Sequence, residues 1–112
     1  MPEQIKTALN QYVSKIKEIY GDALQKVILY GSYARGDFNA DSDIDIMILV
    51  NASDEEIVEK KVAISDMTYD VNDLHDMEIM PIVKNADHFF KWVRAYPFYN
   101  NVINEGVELY DI

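Results

Sequence analysis

Four residues in the first half of the chain have types and spacing suited to metal-assisted phosphate chemistry: Gly31 and Ser32, then Asp43 and Asp45. A Gly-Ser turn offers backbone N–H groups and a hydroxyl to a phosphate, and its glycine allows close backbone approach. Ten residues separate Ser32 from Asp43, and an apolar run, Ile46-Met47-Ile48-Leu49-Val50, follows Asp45. The two aspartates therefore stand at the mouth of a buried strand, where carboxylates are costly unless a cation holds them. Alternation along a strand turns Asp43 and Asp45 to the same face, with Cα atoms roughly 6.5 Å apart. Ile44, Ile46 and Ile48 then take the opposite face, against a helix layer. The carboxylate pair suits Mg²⁺, a hard cation that takes oxygen ligands and keeps positions for water and substrate phosphates. Arg35 is placed to add a charge-assisted contact to those phosphates.

Two other ligand loops fail on specific residues. Asp37, Asn39 and Asp41 match the first three ligand positions of a calcium loop, but Ser42 stands where glycine is required. Ile48 also stands where a bidentate glutamate is required. A P-loop is excluded because no Gly-Lys-Ser/Thr follows the glycines. A lone D-x-D or G-S pair carries little. Strand end, G-S, arginine, fixed gap and D-x-D running into a strand carry far more together.

The elements that must position these residues are readable from periodicity. Ile5, Ala8, Leu9, Tyr12, Val13, Ile16, Ile19 and Tyr20 have the spacing of an amphipathic helix over 3–20, started near Pro2 and stopped by Gly21. Leu24 to Tyr30 reads as a buried strand, 33–41 as a turn-rich loop with one helical turn after Ser32, and Ile44 to Val50 as a second buried strand. Ser53-x-x-Glu56 is a capping-box pattern opening a second helix to about Tyr69, and Asp70 to Asp76 reads as a polar connection. Met77 to Val83 is a third strand that Pro81 confines to an edge, a bulge or a strand end. Asn85 caps a third helix running to Tyr96, which Pro97 stops; Phe98 to Glu105 is a short final helix, and Val107 to Tyr110 a last small strand. The expectation is a single α/β (α+β) domain spanning 1–112, a small mixed sheet with helices packed on it.

Composition narrows the partners. With 20 acids against 10 bases, the formal charge of −10 repels phosphate backbones, which argues against nucleic acid and for a basic partner or cationic substrate. There is no cysteine for disulfides or a thiolate zinc site. No signal-peptide pattern opens the chain and no apolar run is long enough to span a membrane, so a cytoplasmic protein without a membrane association is expected. His75 and His88 share no ligand-like spacing and read as surface or packing residues. Tyr33 reads as a loop anchor ahead of a base-stacking residue. Phe89, Phe90, Trp92, Tyr96, Phe98 and Tyr99 read as mostly core, with some on a partner-binding face.

Gly31-Ser32-Tyr33-Ala34-Arg35-Gly36 … Ser42-Asp43-Ile44-Asp45 resembles the G-S-x-A-R-G … S-D-x-D signature of the polymerase-beta-like nucleotidyltransferases. It is most similar to the minimal nucleotidyltransferases, short single domains often paired, as antitoxins, with an all-helical HEPN toxin. The resemblance implies a mixed sheet and transfer of a nucleoside monophosphate from an NTP, AMP from ATP, to a partner protein in a hetero-oligomer. It implies that Asp43 and Asp45 hold two Mg²⁺ ions and that Gly31 and Ser32 bind the β/γ-phosphates, with Arg35 supporting the triphosphate or the loop. A third carboxylate, metal ligand or base, is best matched by Glu78, where the family more often has aspartate; Asp76 is the nearby alternative. Two other readings stand beside this one. The chain could silence its partner by binding alone, or it could modify a small cationic molecule such as an aminoglycoside.

Overall fold

A computed structural model describes all of residues 1–112. Helix α1 (Glu3–Tyr20) buries Leu9, Tyr12, Ile16 and Tyr20 along one face, and its chain reverses at Gly21, φ 57°. Strand β1 (Leu24–Tyr30) leads into the single turn α2 (Ser32–Arg35), and β2 (Ile44–Val50) returns antiparallel to β1. Helix α3 (Asp54–His75) crosses over to β3 (Ile79–Asn85), which runs parallel to β2. Helices α4 (Ala86–Trp92) and α5 (Pro97–Glu105) follow, and β4 (Val107–Asp111) closes on the far side of β1, antiparallel to it. The sheet order is β3-β2-β1-β4. This is the expected mixed sheet, and Pro81 does sit on an edge strand, where a missing N–H costs no ladder bond.

Alternation on β1 and β2 splits the core in two. Val27, Leu29, Ile44, Ile46, Ile48 and Val50 pack under α1 and α3, as the isoleucine spacing implies. Ile28, Met47 and Leu49 face the other way, against Phe89, Tyr99 and Val102 of α4 and α5. The two central strands are thus covered on both faces, which explains their unbroken apolar character.

Several boundaries differ from the sequence expectation, most of all those of α3, β3 and α4. The capping box forms, with Ser53 Oγ accepting from the Glu56 N–H at 3.2 Å, but α3 runs on to His75 instead of ending near Tyr69. The segment expected to be a polar connection is helical because Asp70 and Asp73 are on the solvent side while Val71 is buried. Asn72 then clamps the next strand, accepting from the Ile79 N–H at 2.8 Å and donating to its carbonyl at 3.2 Å. Asp76, at φ 52°, ends the helix, and β3 starts later and runs further than 77–83. Asn85 caps α4 by accepting from the His88 N–H at 2.8 Å. That helix stops at Trp92 rather than Tyr96, since the Ala95 and Tyr96 N–H groups both turn back to the Trp92 carbonyl at 3.0 Å. No helix is long and apolar enough to cross a membrane.

Candidate active site

The antiparallel pairing of β1 and β2 sets Tyr30 opposite Asp45, so the turn that follows Tyr30 lies beside the start of β2. Gly31 has φ 76° and ψ −155°, a conformation that L side chains rarely adopt. A Cβ built there would overlap the Asp45 carboxylate, at Oδ2. The glycine is required twice over, by backbone geometry and by contact. Phosphate turn and carboxylate strand are one local structure.

Ser32 opens α2, whose first N–H groups have no intrahelical acceptor and are free to meet an anion. Asp43 stands just before β2 and is exposed, while Asp45 is half-buried. Neither carboxylate has a hydrogen-bond or ion-pair partner within the protein. Burial first, and the like charge of Asp43 second, hold the Asp45 carboxyl above its ordinary range, with Arg35 pulling the other way. Tyr30 feels the same charge: burial and then Asp45 push its phenol up to about 12. Two carboxylates without internal partners, beside a phosphate turn, are a donor set that fits Mg²⁺, which is commonly held by one or two carboxylates and substrate phosphates.

Arg35 occupies the loop as expected, but its guanidinium is engaged within the protein. Nε donates to Asp37 Oδ2 at 3.2 Å and Nη1 to Glu105 Oε2 at 3.2 Å. Glu105 ties α5 to the phosphate turn, and no sequence signal pointed to it, because it is distant along the chain. Phe98, also on α5, meets the Tyr30 ring edge-on at 5.6 Å between centroids, giving the site an aromatic wall beside Asp45. Tyr30 was accessible in principle, since it shares strand parity with Ile28 and directly precedes the turn. Tyr33 stacks on Phe38 at 4.4 Å, the role of a loop anchor.

Glu78 lies immediately before β3, and its carbonyl accepts from the Ile44 N–H at 2.8 Å. The parallel register, Ile44 with Ile79, brings Glu78 alongside Asp43, whereas the residue level with Asp45 is Met80. Glu78 and Asp76 both line an open cleft of about 650 Å³ with Asp41, Ser42 and Asp43. Asp43, Asp45 and Glu78 do not converge as a three-carboxylate group; no three acidic or histidine side chains do. The physical reason is that Glu78 is exposed and fixed through its backbone, leaving its side chain unconstrained in the cleft. His75, outside the site, pairs with Gln11 at 2.7 Å and joins α3 to α1.

Comparison with known proteins agrees with this geometry. A family model described as the nucleotidyltransferase domain matches residues 9–104. A candidate protein adenylyltransferase of Methanocaldococcus jannaschii, MJ0604, is 32% identical over 103 residues, covering 92% of this chain and 95% of the relative. A second from the same organism, MJ0141, is 33% identical over 101 residues, covering 90% and 94%. Among solved structures, a chain of a toxin–antitoxin complex with AMP-PNP superposes with a TM-score of 0.58 at 19% identity, over 92% of this chain and 73% of that one. A structure of a tri-AMPylated Shewanella oneidensis HEPN toxin in complex with an MNT antitoxin gives a TM-score of 0.52 at 16% identity, over 96% and 73%. At those identities the structures show a shared fold. The chain belongs to the nucleotidyltransferase domain family, of the polymerase-beta-like kind, and is a nucleotidyltransferase.

Proposed function

We propose that this enzyme transfers AMP from ATP, with Mg²⁺, onto a partner protein, as the cytoplasmic antitoxin of a two-gene module whose toxin is an HEPN protein held in a hetero-oligomer. The observation that carries the reading is the contact of Gly31 with Asp45, which joins a phosphate-binding turn to a metal-binding pair. Support for the acceptor comes from the kinship with candidate protein adenylyltransferases and from the fold shared with the AMPylated toxin complex.

In this reading Gly31 and Ser32 bind the β- and γ-phosphates through backbone N–H groups and the Ser32 hydroxyl. Asp43 and Asp45 hold the Mg²⁺ ions, which when bound neutralise charge on the triphosphate and at the attacking oxygen. Arg35, already level with the turn, exchanges a carboxylate partner for the triphosphate. The acceptor hydroxyl approaches from the cleft, and Glu78 takes its proton as the new oxygen–phosphorus bond forms and the α–β anhydride breaks to release pyrophosphate. Asp76 is fixed as the end of α3 and is the weaker candidate for that role.

The test combines labelled ATP, Mg²⁺ and the product of the adjacent gene. Label on that product, lost on Asp43→Asn with Asp45→Asn, is the expected outcome; label retained by the folded double variant overturns the reading. The loose third carboxylate favours one second reading, an antitoxin that acts by occupancy alone. Rescue of toxicity by the folded double variant would decide for it.

A further inference from the structure

We propose that the outward face of α3, together with the groove between α3 and β3, docks a basic amphipathic helix of the partner protein. This rests on the protein-acceptor reading above and adds where that acceptor is gripped.

Val58, Val62 and Tyr69 are 69%, 68% and 71% exposed. Their spacing of four and seven residues aligns them on one stripe about 16 Å long. Single exposed apolar residues are ordinary, but a helix normally turns such a stripe inward. Here α3 already buries a different face, through Ile64, Thr68 and Val71. On one side the stripe continues into a groove of about 290 Å³, formed by Ile57, Ile64, Tyr20, Pro81 and Val83, with Lys61 its one cation, so the acids that select a basic occupant are those on the opposite side of the stripe. Along the other side, helical spacing places Glu55, Glu59, Asp66, Asp70 and Asp73. None of these acids is in an ion pair. Lys60 is not available to them: its ammonium donates to the Ile19 carbonyl at 3.3 Å and lies over the Tyr20 ring.

Charge selects the occupant. A row of unpaired acids beside an apolar stripe complements a helix whose apolar face is flanked by lysine or arginine. A second copy of this chain, at −10, would bring acid against acid. Addition of a β-strand is opposed by Pro81, which removes an N–H from the open edge of β3. The groove shares no lining residue with the carboxylate cleft, so docking and transfer use separate surfaces and can be broken separately.

The test is calorimetric titration of the adjacent gene's product into wild type and variants. Val62→Asp with Tyr69→Asp should weaken the complex about 30-fold, as loss of a central apolar anchor does. Glu59→Lys with Asp66→Lys and Asp70→Lys should weaken it about tenfold and flatten its dependence on salt. Both variants are exposed-site changes, and unchanged circular dichroism and ATP binding would confirm that they fold. Full-strength binding by the folded Val62→Asp, Tyr69→Asp variant, or no complex with wild type, overturns the proposal. The two readings fail differently. Binding through α3 without any label on the partner removes the transfer reading and keeps this one; normal label at limiting partner by the α3 variants does the reverse.

Discussion

Strands β2 and β3 run parallel from the same end of the sheet, one hydrogen-bonded to the other, yet the carboxylates at their starts are held in different ways. On β2, Asp45 is half-buried, lies against Gly31 and faces Tyr30, so its position is set by two neighbours. Just before β3, Glu78 is exposed, its backbone is bonded to Ile44, and its side chain has no partner. A carboxylate fixed by packing can preorganise a site before ligand arrives, whereas one fixed only at its backbone must be ordered by the ligand. In the proposed reading this difference gives the metal and nucleotide to β2 and the β1 turn, and an assisting role to Glu78 beside β3.

The sharpest way to break that comparison is to neutralise the β2 pair. Asp43→Asn with Asp45→Asn should lower the rate of nucleotidyl transfer about a thousandfold or more, the scale of losing a principal electrostatic group. The melting temperature should hold or rise, because an unpaired carboxylate beside a like charge is removed. Gly31→Ala comes next. The new methyl would meet Asp45 at a positive φ, so a stability loss of about 2 kcal/mol is expected, with activity down about a hundredfold. Gly36→Ala is its control. Gly36 has φ 86° but nothing near its Cβ position, so it should lose only about 1 kcal/mol and little activity.

Glu78→Gln tests the other strand. A fall in kcat of about tenfold is expected, at the low end for a proton acceptor. A fall as large as that of the Asp43→Asn, Asp45→Asn double variant would show that Glu78 and the β2 pair contribute alike. The smallest functional effect belongs to Tyr12→Phe in the α1–α3 layer, which removes a buried 2.7 Å hydrogen bond to Thr68. Thermal unfolding should report a loss of about 1–2 kcal/mol with kcat unchanged.

Much of this was legible from residue order. The isoleucines at 44, 46 and 48 announced a strand with one face under helices, and Asn85 and Ser53 announced their helix starts. G-S followed by D-x-D pointed to the nucleotidyltransferase family, whose model matches residues 9–104. What escaped was set by distant partners. The end of α3 depends on Val71 being buried and on Asn72 reaching Ile79, neither of which a polar stretch discloses. The pairing of Arg35 with Glu105 depends on α5 crossing back over β1. That Glu78 stays loose while Asp45 is packed follows from sheet register, and periodicity within a strand carries no information about its neighbour's register.

The central claim is that the Gly31-Ser32 turn and the Asp43–Asp45 pair form one nucleotide–metal site. Paramagnetic broadening of backbone amide signals by Mn²⁺ with ATP reads it most directly. The account predicts that the signals of Gly31, Ser32, Asp43 and Asp45 broaden together, and that Asp43→Asn with Asp45→Asn abolishes the effect. Broadening confined to Asp76 and Glu78, with the turn unaffected, would contradict it.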